Sequence, residues 1–215
     1  IALAVLGWTE PRRSIIFHSK TEEPRWKDAT VLTNSYGFVA HYNKLCPVDQ
    51  TFSEAYGRMV RDADLQLRAM MKDADSIPVP AHSSEVGGKS ATTVGLQLIK
   101  RNRNIRWHER NRRMPASVML SCLALEVARP GRTIGQSLVA ISTHILTRLV
   151  SAKNAGVLIH VENPCCPGDV FTDRWPETHQ DQDLFISDII LLLAQLEQFL
   201  YQHLSFKELS KTLDD

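Results

Sequence analysis

The spacing of apolar residues changes period along the chain. Near the start, residues 1–6 and 14–18 form two short apolar runs separated by Glu10-Pro11-Arg12-Arg13, a turn-like stretch, and they predict strands left from a sheet. From residue 26 to 47 the signals are mixed until Asn34-Ser35-Tyr36-Gly37, a helix-cap signature. Phe38, Tyr42 and Leu45 then recur at helical spacing and predict a short helix. Residues 51–71 put Phe52, Tyr56, Met59, Val60, Leu67 and Met70 at amphipathic positions, with Arg58, Arg61 and Asp62 on the solvated side. Residues 75–90, rich in proline and serine and carrying Gly87-Gly88, predict an exposed loop.

Beyond that loop the period is helical throughout. Residues 92–107 predict a helix with a basic face, Pro115 suits a first helical turn, and residues 117–127 are apolar nearly all round, as in a fully buried helix. Ile134, Leu138, Ile141, Ile145 and Leu149 step by four, three, four and four, one clean stripe. After a loop centred on Asn163-Pro164, residues 183–203 turn Leu184, Ile189, Leu192, Leu193, Leu196 and Leu200 toward a core.

Charge narrows the functional classes. With 25 Lys and Arg against 24 Asp and Glu, the chain is no general polyanion binder, so a nucleotide or nucleic-acid site needs locally clustered cations. The four cysteines, Cys46, Cys122, Cys165 and Cys166, form no CxxC pair, and the histidines show no ligand spacing. A reduced, cytoplasmic protein with no bound structural metal is expected. No run approaches the roughly 18 apolar residues of a membrane span, so no membrane partner is expected. Residues 1–7 lack a methionine and a basic secretion start, and the chain is expected to be incomplete at its N-terminus.

Lys100, Arg101, Arg103 and Arg106 concentrate positive charge on a helix that otherwise buries Leu98, Ile99 and Ile105. Such a helix is either a solvated basic face or a set of anchored cations suited to a triphosphate. Two other patterns mislead. Asp62-Ala63-Asp64 has Asp-x-Asp spacing but sits in a helical pattern, where i and i+2 point apart. Gly87-Gly88-Lys89-Ser90 looks like the end of a phosphate-binding loop, yet the leading glycine falls at Ser83 and no apolar strand precedes it.

Four motifs in order carry a resemblance. They are Trp26 with Thr33-Asn34-Ser35-Tyr36-Gly37-Phe38, the helix from Gln97 to Asn104, the run from Pro115 to Ala124, and Asn163-Pro164-Cys165-Cys166-Pro167-Gly168-Asp169-Val170-Phe171-Thr172-Asp173-Arg174-Trp175. The series resembles the bacterial cGAS/DncV-like nucleotidyltransferases (CD-NTases), over about residues 14–215, in the C-terminal part of the family's length. The resemblance implies an α+β, polymerase-beta-like nucleotidyltransferase fold with a partial N-terminal catalytic sheet and a C-terminal helical bundle. Residues 1–75 would be a remnant of the nucleotidyltransferase core and linking helix, 76–90 an exposed loop, and 91–215 a helical nucleotide-gripping domain.

The same resemblance implies an enzyme that joins nucleoside triphosphates into cyclic di- or trinucleotide second messengers of anti-phage signalling, with Mg2+ as cofactor. Its partners would be nucleoside triphosphates and regulatory or effector proteins of a defence operon, without sequence-specific nucleic acid. Lys100 and Ser117 inherit contacts to the nucleotide triphosphate, with Arg101 and Arg103 beside them. In the family three carboxylates hold the metal, two from a Gly-Ser … Asp-x-Asp hairpin. This chain has no Gly-Ser dipeptide, and Ala4 stands where a third carboxylate is expected, so no catalytic or metal-binding residue is assigned. The segment Ser90-Ala91-Thr92-Thr93-Val94-Gly95 also departs from the family pattern. The rival readings are a non-catalytic nucleotide-binding or regulatory module, and a helical interaction domain for an acidic partner or RNA.

Overall fold

The computed structural model describes residues 14–17, 30–70 and 89–201. The expected strand over residues 1–6 with Ala4, the turn after it, Trp26, Gly87-Gly88 and the tail beyond 201 lie outside the described residues. Strand β1 (Ser14–Phe17) pairs antiparallel with β2 (Thr30–Thr33), Ser14 opposite Thr33 and Phe17 opposite Thr30. Six helices follow among the described residues: α1 (Ser35–Leu45), α2 (Gln50–Met70), α3 (Ala91–Trp107), α4 (Ser117–Glu126), α5 (Ile134–Asn154) and α6 (His179–Tyr201).

Local chemistry sets the helix ends. The Asn34 side chain accepts from the Gly37 N–H to start α1, and Ser90 accepts from Thr93 to start α3. Helix α5 opens with a reciprocal capping box between Thr133 and Gln136. It closes on Gly156, whose positive φ of 70° lets Val157 N–H reach the Ala152 carbonyl and its own N–H reach Lys153. Thr178 and Asp181 exchange bonds in the same way at the start of α6. Pro115 departs from expectation: it stands before the extended Ala116 rather than in the first turn of α4, which starts at Ser117 without a side-chain cap.

Helix α4 is the centre. Every residue from Met119 to Leu125 is buried, which is why its sequence shows no polar face. Helix α5 packs against α3, α4 and α6, laying the Leu138, Ile141, Ile145 and Leu149 stripe into the core. The close α3–α5 approach depends on Gly95, where an added Cβ would sit 3.3 Å from the Leu138 backbone nitrogen. Trp175 plugs the far end, edge-on to both Trp107 and Phe185. Asp62, on α2, is exposed.

Candidate functional site

Where α3 passes the start of α4, four polar side chains meet. Lys100 and Arg103 are three residues apart on α3, and Ser117 and Ser121 are four apart on α4, so each pair shares one face of its helix. Lys100 Nζ donates to Ser121 Oγ at 2.9 Å, and Ser121 Oγ donates in turn to the Ser117 carbonyl at 3.0 Å. Arg103 Nη2 donates to Ser117 Oγ at 3.0 Å, and its Nη1 to the Pro115 carbonyl at 2.5 Å. Nε and Nη2 also donate to Asn104 Oδ1, at 3.1 and 2.7 Å.

The four differ in exposure, and that decides what each can do. Arg103 is only 5% exposed, Ser121 is buried, Lys100 is half-buried and Ser117 is exposed. Burial first, then the Arg103 charge, holds the Lys100 ammonium below the usual lysine range. Burial likewise lowers Arg103. Among the described residues no carboxylate pairs with either cation, so the junction carries uncompensated positive charge beside an exposed hydroxyl. Anions complement such a site.

The remaining cations divide into committed and uncommitted. Arg101 is exposed, and Arg106 keeps its Nε buried without a hydrogen-bond partner among the described residues. Arg110 forms a two-pronged pair with Asp188, at 2.7 and 2.8 Å, which also accepts from Trp107 Nε1. Arg112 is paired with Asp181 at 2.7 Å. These two brace the α3–α4 connection against α6.

Beside the cluster lies a groove of about 630 Å³. Ala116 and Val118, which flank Ser117, form one wall; Phe38 of α1 and Phe171 and Trp175 form others. Its polar edge is built on Asp169. That buried carboxylate accepts from Thr33 Oγ1 at 2.9 Å, from the Asn34 N–H at 3.3 Å and from Asn163 Nδ2 at 2.8 Å. Asn34 Nδ2 donates back to the Cys165 carbonyl, so the β2–α1 junction is latched to residues 163–169. An apolar groove with polar edges, two of whose lining residues flank Ser117, suits a ligand that carries an anionic tail on a flat body.

Of the residues expected from the sequence, Lys100, Ser117 and Arg103 converge and Arg101 stays at the periphery. Two participants were not singled out. Ser121 was visible as the polar residue one helical turn after Ser117 in an otherwise apolar run. Asp169 had no local signal, because its donors come from residues more than 130 positions away as well as from its own loop. Cys122 is buried, its thiol pushed up to about 11, chiefly by burial and then by Glu126. Such a thiol stays protonated and inert.

No protein-family model matches the chain. It is 35% identical over 199 residues to the cyclic dinucleotide synthase CdnG of Bradyrhizobium diazoefficiens, an alignment covering 89% of this chain and 47% of the relative. A solved structure of the CD-NTase CdnG from the same organism, in complex with GTP, superposes with a TM-score of 0.67 at 32% identity, over 87% of this chain and 53% of that one. The chain therefore spans about half the length of the relatives it matches.

Proposed function

Because this chain belongs to the CD-NTases, polymerase-beta-like nucleotidyltransferases, we propose that it is the part of a cyclic dinucleotide synthase that grips the triphosphate of a nucleoside triphosphate. The observation that carries the reading is the meeting of Lys100, Arg103, Ser117 and Ser121 at the α3–α4 junction, with no carboxylate to neutralise it among the described residues. Lys100 supplies a point charge to phosphate oxygens, and the exposed Ser117 hydroxyl supplies a donor. Arg101 adds long-range attraction from the rim. The nucleobase fits the adjoining groove, against Phe38 and Val118. A relative's structure holding GTP supports this choice of ligand.

On the same reading the β1–β2 ribbon belongs to the catalytic sheet, the product is a cyclic nucleotide second messenger of anti-phage signalling, and operon-encoded proteins are its effectors. The family's magnesium does not fit here: among the described residues no three His, Cys, Asp or Glu side chains cluster to hold an ion. No chemical step is assigned to these residues on that account. A second reading is a module that binds nucleotide without turning it over, because the four side chains that meet at the junction are cations and hydroxyls suited to holding an anion. No helix among the described residues is long and apolar enough to cross a membrane.

Isothermal titration of the purified chain with GTP and GMP tests the grip. GTP should bind at least about tenfold more tightly than GMP, with affinity falling steeply in salt, and Lys100→Ala should cost about 1 to 3 kcal/mol, the loss of a charged hydrogen bond. Equal affinities for GTP and GMP, or an unchanged Lys100→Ala variant, would refute it. Product analysis with mixed nucleoside triphosphates and magnesium separates the two readings: cyclic or linear dinucleotide marks a synthase, binding without turnover marks a module.

A further inference from the structure

We propose that Arg103 is a positioning residue of this site, one that acts through Ser117 and does not itself touch phosphate. The inference rests on the triphosphate reading above. Arg103 is 5% exposed, and its guanidinium is enclosed by bonds to the Pro115 carbonyl, Ser117 Oγ and Asn104 Oδ1. Its reach toward a ligand is closed off by the groups it already serves.

Proton direction follows from donor chemistry. A guanidinium has no acceptor, so in the 3.0 Å contact between Arg103 and Ser117 the arginine must donate and the serine oxygen must accept. A hydroxyl carries one hydrogen. With a lone pair of Ser117 Oγ engaged by Arg103, that hydrogen turns away from the arginine, and among the described residues no acceptor receives it. Ser117 is thereby held as a donor facing outward, and accepting from a cation strengthens its O–H as a donor.

Ser121 is arranged the opposite way. Its hydrogen is committed to the Ser117 carbonyl and its lone pair to Lys100, so it aims the ammonium but has no proton left for a ligand. The ligand-facing donors of the junction are therefore Lys100 and Ser117, each set by a partner behind it. The bond from Arg103 to the Pro115 carbonyl holds the turn on which Ser117 rides. One buried fork fixes both the place of the serine and the direction of its proton.

A double-mutant cycle on the full chain tests this, read by titration with GTP and by thermal unfolding. Arg103→Lys keeps the charge but replaces the planar fork with a single ammonium, which does not reproduce a two-site arrangement. Ser117→Ala and Arg103→Lys should each weaken GTP binding about tenfold, and the double variant should be no more than about threefold weaker than either. GMP affinity should change little.

If Arg103→Lys costs as much in the Ser117→Ala background as in the wild type, Arg103 meets phosphate by itself and the proposal fails. If Ser117→Ala leaves GTP binding intact while Lys100→Ala weakens it, the proposal fails and the triphosphate reading survives. If Lys100→Ala is also silent, both fall. Should Arg103→Lys not fold, the exposed Asn104→Ala, which unbraces the same guanidinium, must weaken GTP binding in the wild type and not in Ser117→Ala; equal weakening in both overturns the proposal.

Discussion

Removing the Asp169 carboxylate should cost more stability than removing most surface acids abolishes. In Asp169→Ala three donors lose their shared acceptor: the Thr33 hydroxyl, the Asn34 N–H and the Asn163 amide, at 2.9, 3.3 and 2.8 Å. Asn163 retains a weaker contact with the Asn34 carbonyl at 3.4 Å, and water entering from the groove relieves some of the rest. At about 1 to 3 kcal/mol for each buried donor left unsatisfied, and allowing for that relief, the loss is about 3 to 5 kcal/mol. This is a large share of the roughly 5 to 15 kcal/mol that holds a domain together. Asp169→Asn keeps one oxygen to accept but gives up the charge, and should cost about 1 to 2 kcal/mol. Urea unfolding of the purified chain followed by circular dichroism measures both, with the denaturant slope unchanged if the native state stays compact. An Asp169→Ala cost below about 0.5 kcal/mol, the range of ordinary surface changes, would show that residues 163–169 do not latch the β2–α1 junction. So would an Asn variant worse than the Ala variant.

Three further outcomes are expected. Because burial and then the Arg103 charge depress the Lys100 ammonium and only its protonated form pairs with phosphate, GTP affinity should decline as pH rises, and do so below the roughly 10.4 of an ordinary lysine; titration from pH 7 to 10 checks this, and Lys100→Met should flatten the profile. The Ser142 hydroxyl is fully buried on α5 with no hydrogen-bond partner among the described residues, so Ser142→Ala should be neutral or stabilise by about 1 kcal/mol; a loss above 1 kcal/mol in urea unfolding would reveal a hidden bond. At Asp181 burial raises the carboxyl, but hydrogen bonds from Arg112 and Thr178 outweigh it and hold it below the usual value. Its contribution is therefore present above the unfolded pKa near 3.9 and lost as pH falls through the lower folded value; Asp181→Asn should be less stable than wild type at pH 5 and converge with it in strong acid.

The helices were legible in the sequence because their causes are local. Asn34 caps the helix that follows it, as its signature predicts, and the Ile134-to-Leu149 spacing of α5 reports its buried stripe directly. The apolar run of α4 announced a buried helix for the same reason. Lys100 and Ser117 were recognised from their motifs, since they stand at set offsets on consecutive helices. What each polar group does there was not legible. Burial and hydrogen-bond partners are properties of pairs: the four cations on one helix looked alike, and only packing against α4 enclosed Arg103, half-covered Lys100 and left Arg101 outside. Asp169 is the extreme case, an acid in a loop whose Thr33 and Asn34 donors arrive from the other end of the chain. Periodicity and caps act within a few residues and so are written in the sequence; a charge acquires its role only when folding chooses its neighbours and removes its water.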